Sequence, residues 1–247
     1  MTPLAETPLS TPPLHVGVVV FPGSNCDRDM ADAAQEILGA KVSWLWHQET
    51  SIPEDMRVVL IPGGFSYGDH LRCGAISKYS PIMQPLKAFA ENPNHYVLGV
   101  CNGFQVLTES GLLPGALIAN QRPQFLCDRA TRLQVKNART AFTQGFKQDE
   151  VIAIPIAHGE GCYVADEATL ETLKANQQIV FQYVDEVNGS IDGIAGITNR
   201  AGNVLGMMPH PERNLFERTS HGWSGEGRMV FESLKTALAQ QACVPCA

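Results

Sequence analysis

The chain has 247 residues, 44% of them apolar and 17% charged, with a formal net charge of −7. With 22 glycines and 16 prolines it stays well under the share of roughly 25–30% that accompanies disorder, and its length fits one large globular domain. An acidic balance without a clustered basic stretch excludes a binder of phosphate backbones, and no apolar run approaches the ~20 residues that a bilayer span requires.

Residues 1–13 are proline-rich and carry no Lys, Arg or apolar stretch, so they read as a flexible extension and not as a secretory signal, with a cytoplasmic protein as the expectation. Val16–Phe21 is a β-branched run that predicts a strand. Pro22-Gly23-Ser24-Asn25 turns it into a helix with Cys26, Met30, Ala33, Ala34, Ile37 and Leu38 at helical spacing. Ser24 or Asn25 is placed to cap that helix, Asp27 and Asp29 suit its positive end, and Gly39 sits where it stops. Lys41–Trp46 reads as a second strand, with Trp44 and Trp46 in core and cover.

Arg57–Ile61 reads as a third strand, closing on Pro62-Gly63-Gly64, and Tyr96–Val100 as another, with a helix from about Gly74 to Ala90 between them. Strands alternating with helices predict an α/β fold with a mostly parallel sheet covered on both faces. In the second half, Arg132–Val135, Val151–Ala157, Ile179–Val184, Ile194–Thr198 and Val204–Met208 read as strands with fewer helices, which predicts mixed or antiparallel additions to that sheet. A last helix, about Glu226 to Gln240, puts Val230, Leu234, Ala237 and Leu238 on one face. The domain is expected over 14–241, with 242–247 as a flexible tail.

Seven cysteines (26, 73, 101, 127, 162, 243 and 246) are an odd number without framework spacing, which predicts reduced thiols. Cys243 and Cys246 form a lone C-x-x-C that reads as tail thiols. The sharpest signal is Gly99-Val100-Cys101-Asn102-Gly103, between an apolar strand and a helical segment. Glycines two before and two after a nucleophile permit the strained strand-to-helix turn that lifts its side chain from the sheet. A thiol at a helix N-terminus beside an imidazole is activated as thiolate. A small hydrophobe packed between two glycines is the bland reading of the same pentapeptide.

Among seven histidines, His210 stands at the end of a predicted strand and precedes Pro211-Glu212. Pro211 stiffens that turn and denies it to a helix. In an extended segment residues two apart share a side, so Glu212 can hold one imidazole nitrogen while the other faces sulfur. Attack on a carbonyl needs two donors for the oxyanion. The backbone N–H of Asn102 and the Gly63-Gly64-Phe65 turn after a neighbouring strand could supply them.

With these residues the chain resembles the class I, or triad, glutamine amidotransferases: Gly99–Gln105 matches the nucleophile segment and His210-Pro211-Glu212 its partner. Within that class, Phe21–Asp27, Gly63–Arg72 (Gly-Gly-Phe-Ser-Tyr-Gly-Asp-His-Leu-Arg), Ala157–Gly161 and Met207–Arg213 resemble the glutaminase subunits of purine biosynthesis, over roughly residues 15 to 240. The resemblance implies Cys101, His210 and Glu212 as catalytic residues, Gly64 and Asn102 as the oxyanion hole, and Gln105 as a substrate-binding residue. It implies hydrolysis of glutamine to glutamate and ammonia. Ammonia then passes to a large synthetase subunit, accompanied by a small accessory subunit, that converts formylglycinamide ribonucleotide to the amidine. No Walker-type phosphate loop and no metal cluster is written in this sequence, so ATP and Mg²⁺ are expected only in the partner.

His158-Gly159-Glu160-Gly161 reads as a partner-facing or structural loop, since two ligands make no zinc site. Arg72 could reach a substrate carboxylate or a partner, or be a solvated loop charge, and Tyr67 sits beside the proposed oxyanion loop. A cysteine α/β-hydrolase is disfavoured, because its acid would precede the histidine in the chain. A cysteine peptidase or deglycase of similar architecture, or a flavodoxin-like module cradling a phosphate at Phe21–Asp27, are the alternatives.

Overall fold

The computed structural model describes residues 13–122, 124–218 and 223–242, so the expected extension at 1–13 lies almost entirely outside the described residues, as do Pro123, His221 and the tail thiols Cys243 and Cys246. In the first half, apolar runs form the strands β1 (His15–Val20), β2 (Lys41–Trp46), β3 (Met56–Ile61) and β4 (Tyr96–Val100). The second half adds β5 (Ala116–Ile118), β6 (Leu126–Val135), β7 (Val151–His158), β8 (Cys162–Val164), β9 (Ile179–Tyr183), β10 (Ile194–Thr198) and β11 (Val204–Met207). The helices are α1 (Asp27–Ala33), α2 (Met83–Glu91), α3 (Asn102–Glu109), α4 (Glu167–Ala175) and α5 (Arg228–Ala242).

Nine strands form one sheet in the order β2-β1-β3-β4-β11-β10-β9-β6-β7, and β5 pairs with β8 apart from it. From β2 to β11 the pairings are parallel; from β11 to β7 they are antiparallel. Every residue of β4 and β11 is buried. Strands covered on both faces have no use for alternation, which is why they read as continuous apolar runs. The mixed α/β expectation is met, and the antiparallel pairings fall in the second half, where long helical crossovers are missing from the sequence.

Local details differ from the sequence reading. Neither Ser24 nor Asn25 caps α1, whose N-cap is Cys26; the Ser24 hydroxyl accepts from the N–H of Phe21 at 3.1 Å. Gly39 does end this helical run, in a left-handed conformation, after a π-helical segment from Ala34 to Leu38. The Gly74–Ala90 helix is broken: Gly74 has φ +77°, Ser77–Tyr79 is a single 3₁₀ turn, and α2 starts only beyond Pro81, whose ring would clash with a preceding turn. Trp44 and Trp46 are not core; both are about half exposed on edge strand β2 while Leu45 between them is buried, since residues two apart share a face. Helix α4 went unread because it buries only Leu173 and so shows little apolar stripe. Its N-cap is Asp166, which accepts from the N–H of Thr169 at 2.8 Å. Among the described residues no helix is long and apolar enough to cross a membrane.

Candidate active site

Cys101 stands between β4 and α3 with φ +52° and ψ −106°, a backbone conformation that costs a non-glycine residue of order 1–3 kcal/mol and persists only where the surroundings enforce it. The enforcement is visible in the flanking glycines. A Cβ on Gly103 would fall 2.1 Å from the Ile61 carbonyl oxygen of β3, and one on Gly99 would fall 2.7 Å from the Gly103 oxygen, so the helix seats against the sheet only because both are bare. The Cys101 N–H donates to Met207 O of β11 at 2.8 Å, and its sulfur lies 3.6 Å from Ala157 O.

Strands β4 and β11 are adjacent and parallel, with Gly99 opposite Gly206 and Val100 opposite Met207. Their carboxyl ends therefore deliver Cys101 and His210 to the same edge, although 109 positions of chain separate them. The His210 N–H donates to Pro155 O at 2.8 Å, and its Nδ1 lies 2.7 Å from Glu212 Oε1. The segment joining the pair is not extended as expected. Pro211–Arg213 is one 3₁₀ turn with Pro at its first position, where a missing N–H costs nothing. Pro211 therefore starts a turn of helix that it was expected to forbid. Both side chains are buried, and His210 Nε2 has no hydrogen-bond partner. The Cys101 sulfur is close enough to act on the charge of this imidazole. Burial works against the charged ring, yet the Glu212 carboxylate, then the sulfurs of Cys101 and Cys26, hold its pKa well above the ordinary histidine value.

The two residues expected as oxyanion donors, Gly64 and Asn102, belong to the turn after β3 and to the start of α3. Phe65 N donates to Gly23 O at 2.9 Å and Asn25 N to Gly63 O at 3.3 Å. That two-stranded exchange leaves Gly64 in the wide position between the bonds, with its own N–H turned outward. Gly64 has φ +146°, and a Cβ there would meet Asn25 N at 2.7 Å. Asn102 opens α3, so its N–H has no acceptor within the helix. Its side chain is occupied: Oδ1 accepts from Ser66 N at 3.2 Å and Nδ2 donates to Gln105 Oε1 at 2.9 Å. Gln105 in turn donates to Glu160 O at 2.7 Å. Cys101, His210, Gly64 and Gln105 all line one cleft of about 430 Å³.

Cys26 was read only as an apolar helix position, and the structure puts it behind the histidine. Its sulfur lies 4.0 Å from His210 Nδ1 and 3.0 Å from the Arg213 guanidinium, which also bonds Asp29 at 3.1 Å. Burial pushes this thiol's pKa up. Cys26, His210 and Glu212 bring donor atoms within 4.8 Å of one another, but Glu212 already holds Nδ1, and the Arg213 charge lies against the sulfur. No sequence signal marked Cys26 beyond its place in the Phe21–Asp27 motif.

The other singled-out residues have structural places. Arg72 pairs with Glu109, its Nη2 2.8 Å from Oε2. The Tyr67 hydroxyl meets His47 Nδ1 and Ser80 Oγ, each at 2.7 Å. His158 ends β7, is 2% exposed and bonds Asn120, so it is structural and not partner-facing. Burial and then the charge of His210 push its pKa down to about 4. The Phe21–Asp27 turn does not cradle a phosphate: the N–H groups of Ser24, Asn25 and Cys26 donate to protein carbonyls at 3.0, 3.3 and 3.2 Å.

A thiol on a strand-to-helix elbow and an imidazole held by a carboxylate, lining one cleft, make the geometry of a thiol amidohydrolase. The chain matches the model of the CobB/CobQ-like glutamine amidotransferase domain over residues 13–243 and belongs to that family. It is 52% identical to the phosphoribosylformylglycinamidine synthase subunit PurQ of Acaryochloris marina over 92% of this chain and 98% of that one. With the protein of the same name from Nostoc sp. it shares 58% identity over 81% and 88%. The solved structure of PurLQS from Thermotoga maritima contains a chain that superposes with a TM-score of 0.81 at 42% identity, covering 92% of this chain and 99% of that one.

Proposed function

We propose that this chain is the glutaminase subunit of a phosphoribosylformylglycinamidine synthase, with Cys101, His210 and Glu212 as its catalytic residues. One observation carries the assignment of roles: Cys101 and His210 follow adjacent parallel strands at the same edge and line one cleft, with Nε2 of His210 unpartnered. The Cys101 thiolate attacks the side-chain carboxamide carbon of glutamine. The N–H groups of Gly64 and Asn102 hold the oxyanion that forms. The C–N bond breaks as His210 gives its proton to the departing ammonia, leaving a thioester. His210 then takes a proton from water, the resulting hydroxide displaces sulfur, and glutamate leaves. Glu212 keeps the ring oriented and balances its charge throughout, and Gln105 helps to hold the substrate from the cleft wall.

Ammonia released to solvent would be lost, so the product goes to a synthetase partner that docks over the cleft, uses ATP and Mg²⁺, and turns formylglycinamide ribonucleotide into the amidine; a small accessory subunit completes the complex. The curated relatives bear the name of that synthase, and the Thermotoga maritima neighbour was solved as PurLQS. A cytoplasmic setting fits five unpaired thiols among the described residues.

The test is labelling with a glutamine analogue that carries a diazoketone at the amide position, followed by peptide mapping. Modification is expected at Cys101, and Cys101→Ser is expected to abolish glutamine-dependent synthesis by the complex while ammonia-dependent synthesis continues. Labelling at another cysteine, or glutaminase activity surviving in Cys101→Ser, would overturn the assignment.

A further inference from the structure

Two carboxylates line the same cleft as the thiol. Asp69 stands in the loop after β3, and Glu160 follows β7. Neither is paired with a lysine or arginine among the described residues, for the basic side chains that follow Asp69 in the chain, Arg72 and Lys78, both go to Glu109. The two carboxylates instead converge on Cys73. Glu160 accepts from its N–H at 3.2 Å, and after burial it is Asp69 and Glu160 that push its thiol pKa up. Burial, with a further contribution from the charge of Glu160, also raises the pKa of Asp69. Two acids that repel each other in a concave site, neither held in an ion pair although the charge of Arg72 reaches Glu160 and Arg213 lines the same cleft, make a place for a cationic group. His158, which adjoins Glu160's loop and lines the same cleft, has a buried Nε2 with no partner among the described residues, a further acceptor left for a ligand.

The fold fixes both acids relative to the sulfur. Asp69 Oδ1 is 3.5 Å from the side-chain nitrogen of Asn102, the residue next to Cys101. The Glu160 carbonyl takes the Gln105 amide at 2.7 Å, one turn along the same helix. Asp69 is held there by a backbone with positive φ at Tyr67, Gly68, Asp69 and Leu71. The structure assigns Asp69 and Glu160 as the pair that receives the α-ammonium group of the amino-acid substrate, so that the cleft selects an amide bearing a free amine at its far end. This rests on the glutaminase reading of the site and names the part of the substrate that the triad does not touch.

The experiment compares two electrophiles on the full-length chain: a chloroketone analogue of glutamine that keeps the α-amino group, and its deamino counterpart. Iodoacetamide, which carries no α-ammonium, serves as the control for the thiol. The wild-type chain is expected to be labelled at Cys101 faster by the amino-bearing reagent. In Asp69→Asn and in Glu160→Gln that preference is expected to fall at least tenfold, and in the double variant to approach one, with iodoacetamide still labelling Cys101. Hydrolysis gives the parallel readout, the ratio of kcat/KM for glutamine to that for glutaramate. A preference that survives in both single variants, or rates for the two chloroketones that fall in equal proportion, would overturn the inference. If Cys101 reacted with none of the three reagents in the wild-type chain, the reading of the site itself would fail first.

Discussion

Gly63 lies where His210 leaves no room for a side chain: a Cβ built on its backbone falls 2.7 Å from His210 Cε1. The same point is 3.0 Å from the Cys26 sulfur and 3.5 Å from Cys101 Cβ, so one bare position lets the three side chains close on each other. Gly63→Ala is expected to displace the imidazole. A loss in kcat on the order of 10²-fold follows from such a shift in a positioned base, with a destabilisation of roughly 1–3 kcal/mol from overpacking. Glutaminase rates and the thermal midpoint, measured side by side, check both; a wild-type kcat in Gly63→Ala would refute the placement of the ring.

The Glu212–His210 pair has a signature in stability against pH. Because the folded protein raises the pKa of His210, it binds the proton more tightly than the unfolded chain does. The pair's contribution is complete below the unfolded value of about 6.5 and is lost as pH rises through the higher folded value. Glu212→Gln is expected to cost on the order of 3–5 kcal/mol at pH 6, as expected for breaking a buried pair, and clearly less at pH 10. Urea unfolding of both proteins at the two pH values measures the difference, and a cost that does not shrink at high pH would refute it.

His158 predicts a change of the opposite sign. Its pKa is pushed down to about 4 in the folded chain, so between about pH 6.5 and 4 the unfolded chain binds the extra proton and stability falls with acidity. At about 1.4 kcal/mol per unit the loss across that window is roughly 3 kcal/mol. His158→Gln removes this titration, and its stability is expected to fall less steeply over the same range. Equal slopes for the two proteins in chemical denaturation would exclude His158 as the cause.

Tyr67 locks the loop that presents Gly64 and Asp69. Its hydroxyl makes two bonds at 2.7 Å, to His47 and Ser80, while its backbone is left-handed. Tyr67→Phe removes both bonds, leaving Ser80 Oγ without that partner while His47 Nδ1 keeps Gln48 Nε2 at 3.2 Å, at a cost of about 1–3 kcal/mol. A lower thermal midpoint is expected together with a raised KM for glutamine; a KM unaffected by the substitution would show that the loop holds its shape without the hydroxyl.

Much of this site could be read from sequence because local chemistry encodes it. Gly103 and Gly64 are demanded by backbone contacts and Gly63 by the side chains of His210 and Cys26, and the His210-Pro211-Glu212 tripeptide keeps imidazole and carboxylate within two residues. Cys26 and the pairing of Asp69 with Glu160 were not legible, since those meetings depend on the order of strands in the sheet and no spacing along the chain records it. The helix expected from Gly74 to Ala90 failed for a local reason: its apolar residues repeat well, but Gly74 is left-handed and Pro81 bars continuation of the turn before it. Helix α4 hid because a surface helix burying one leucine has almost no periodicity to detect.

The position of β11 has a consequence for biosynthesis. This strand is among the last segments of the sheet to be synthesised, yet it lies in the middle of it, between β4 and β10, and His210 follows its last residue by three positions. A polypeptide still short of residues 204–207 lacks the strand that joins β4 to β10, and lacks His210 as well. The thiol and the imidazole therefore meet only once β11 has been inserted between strands that precede it in the chain.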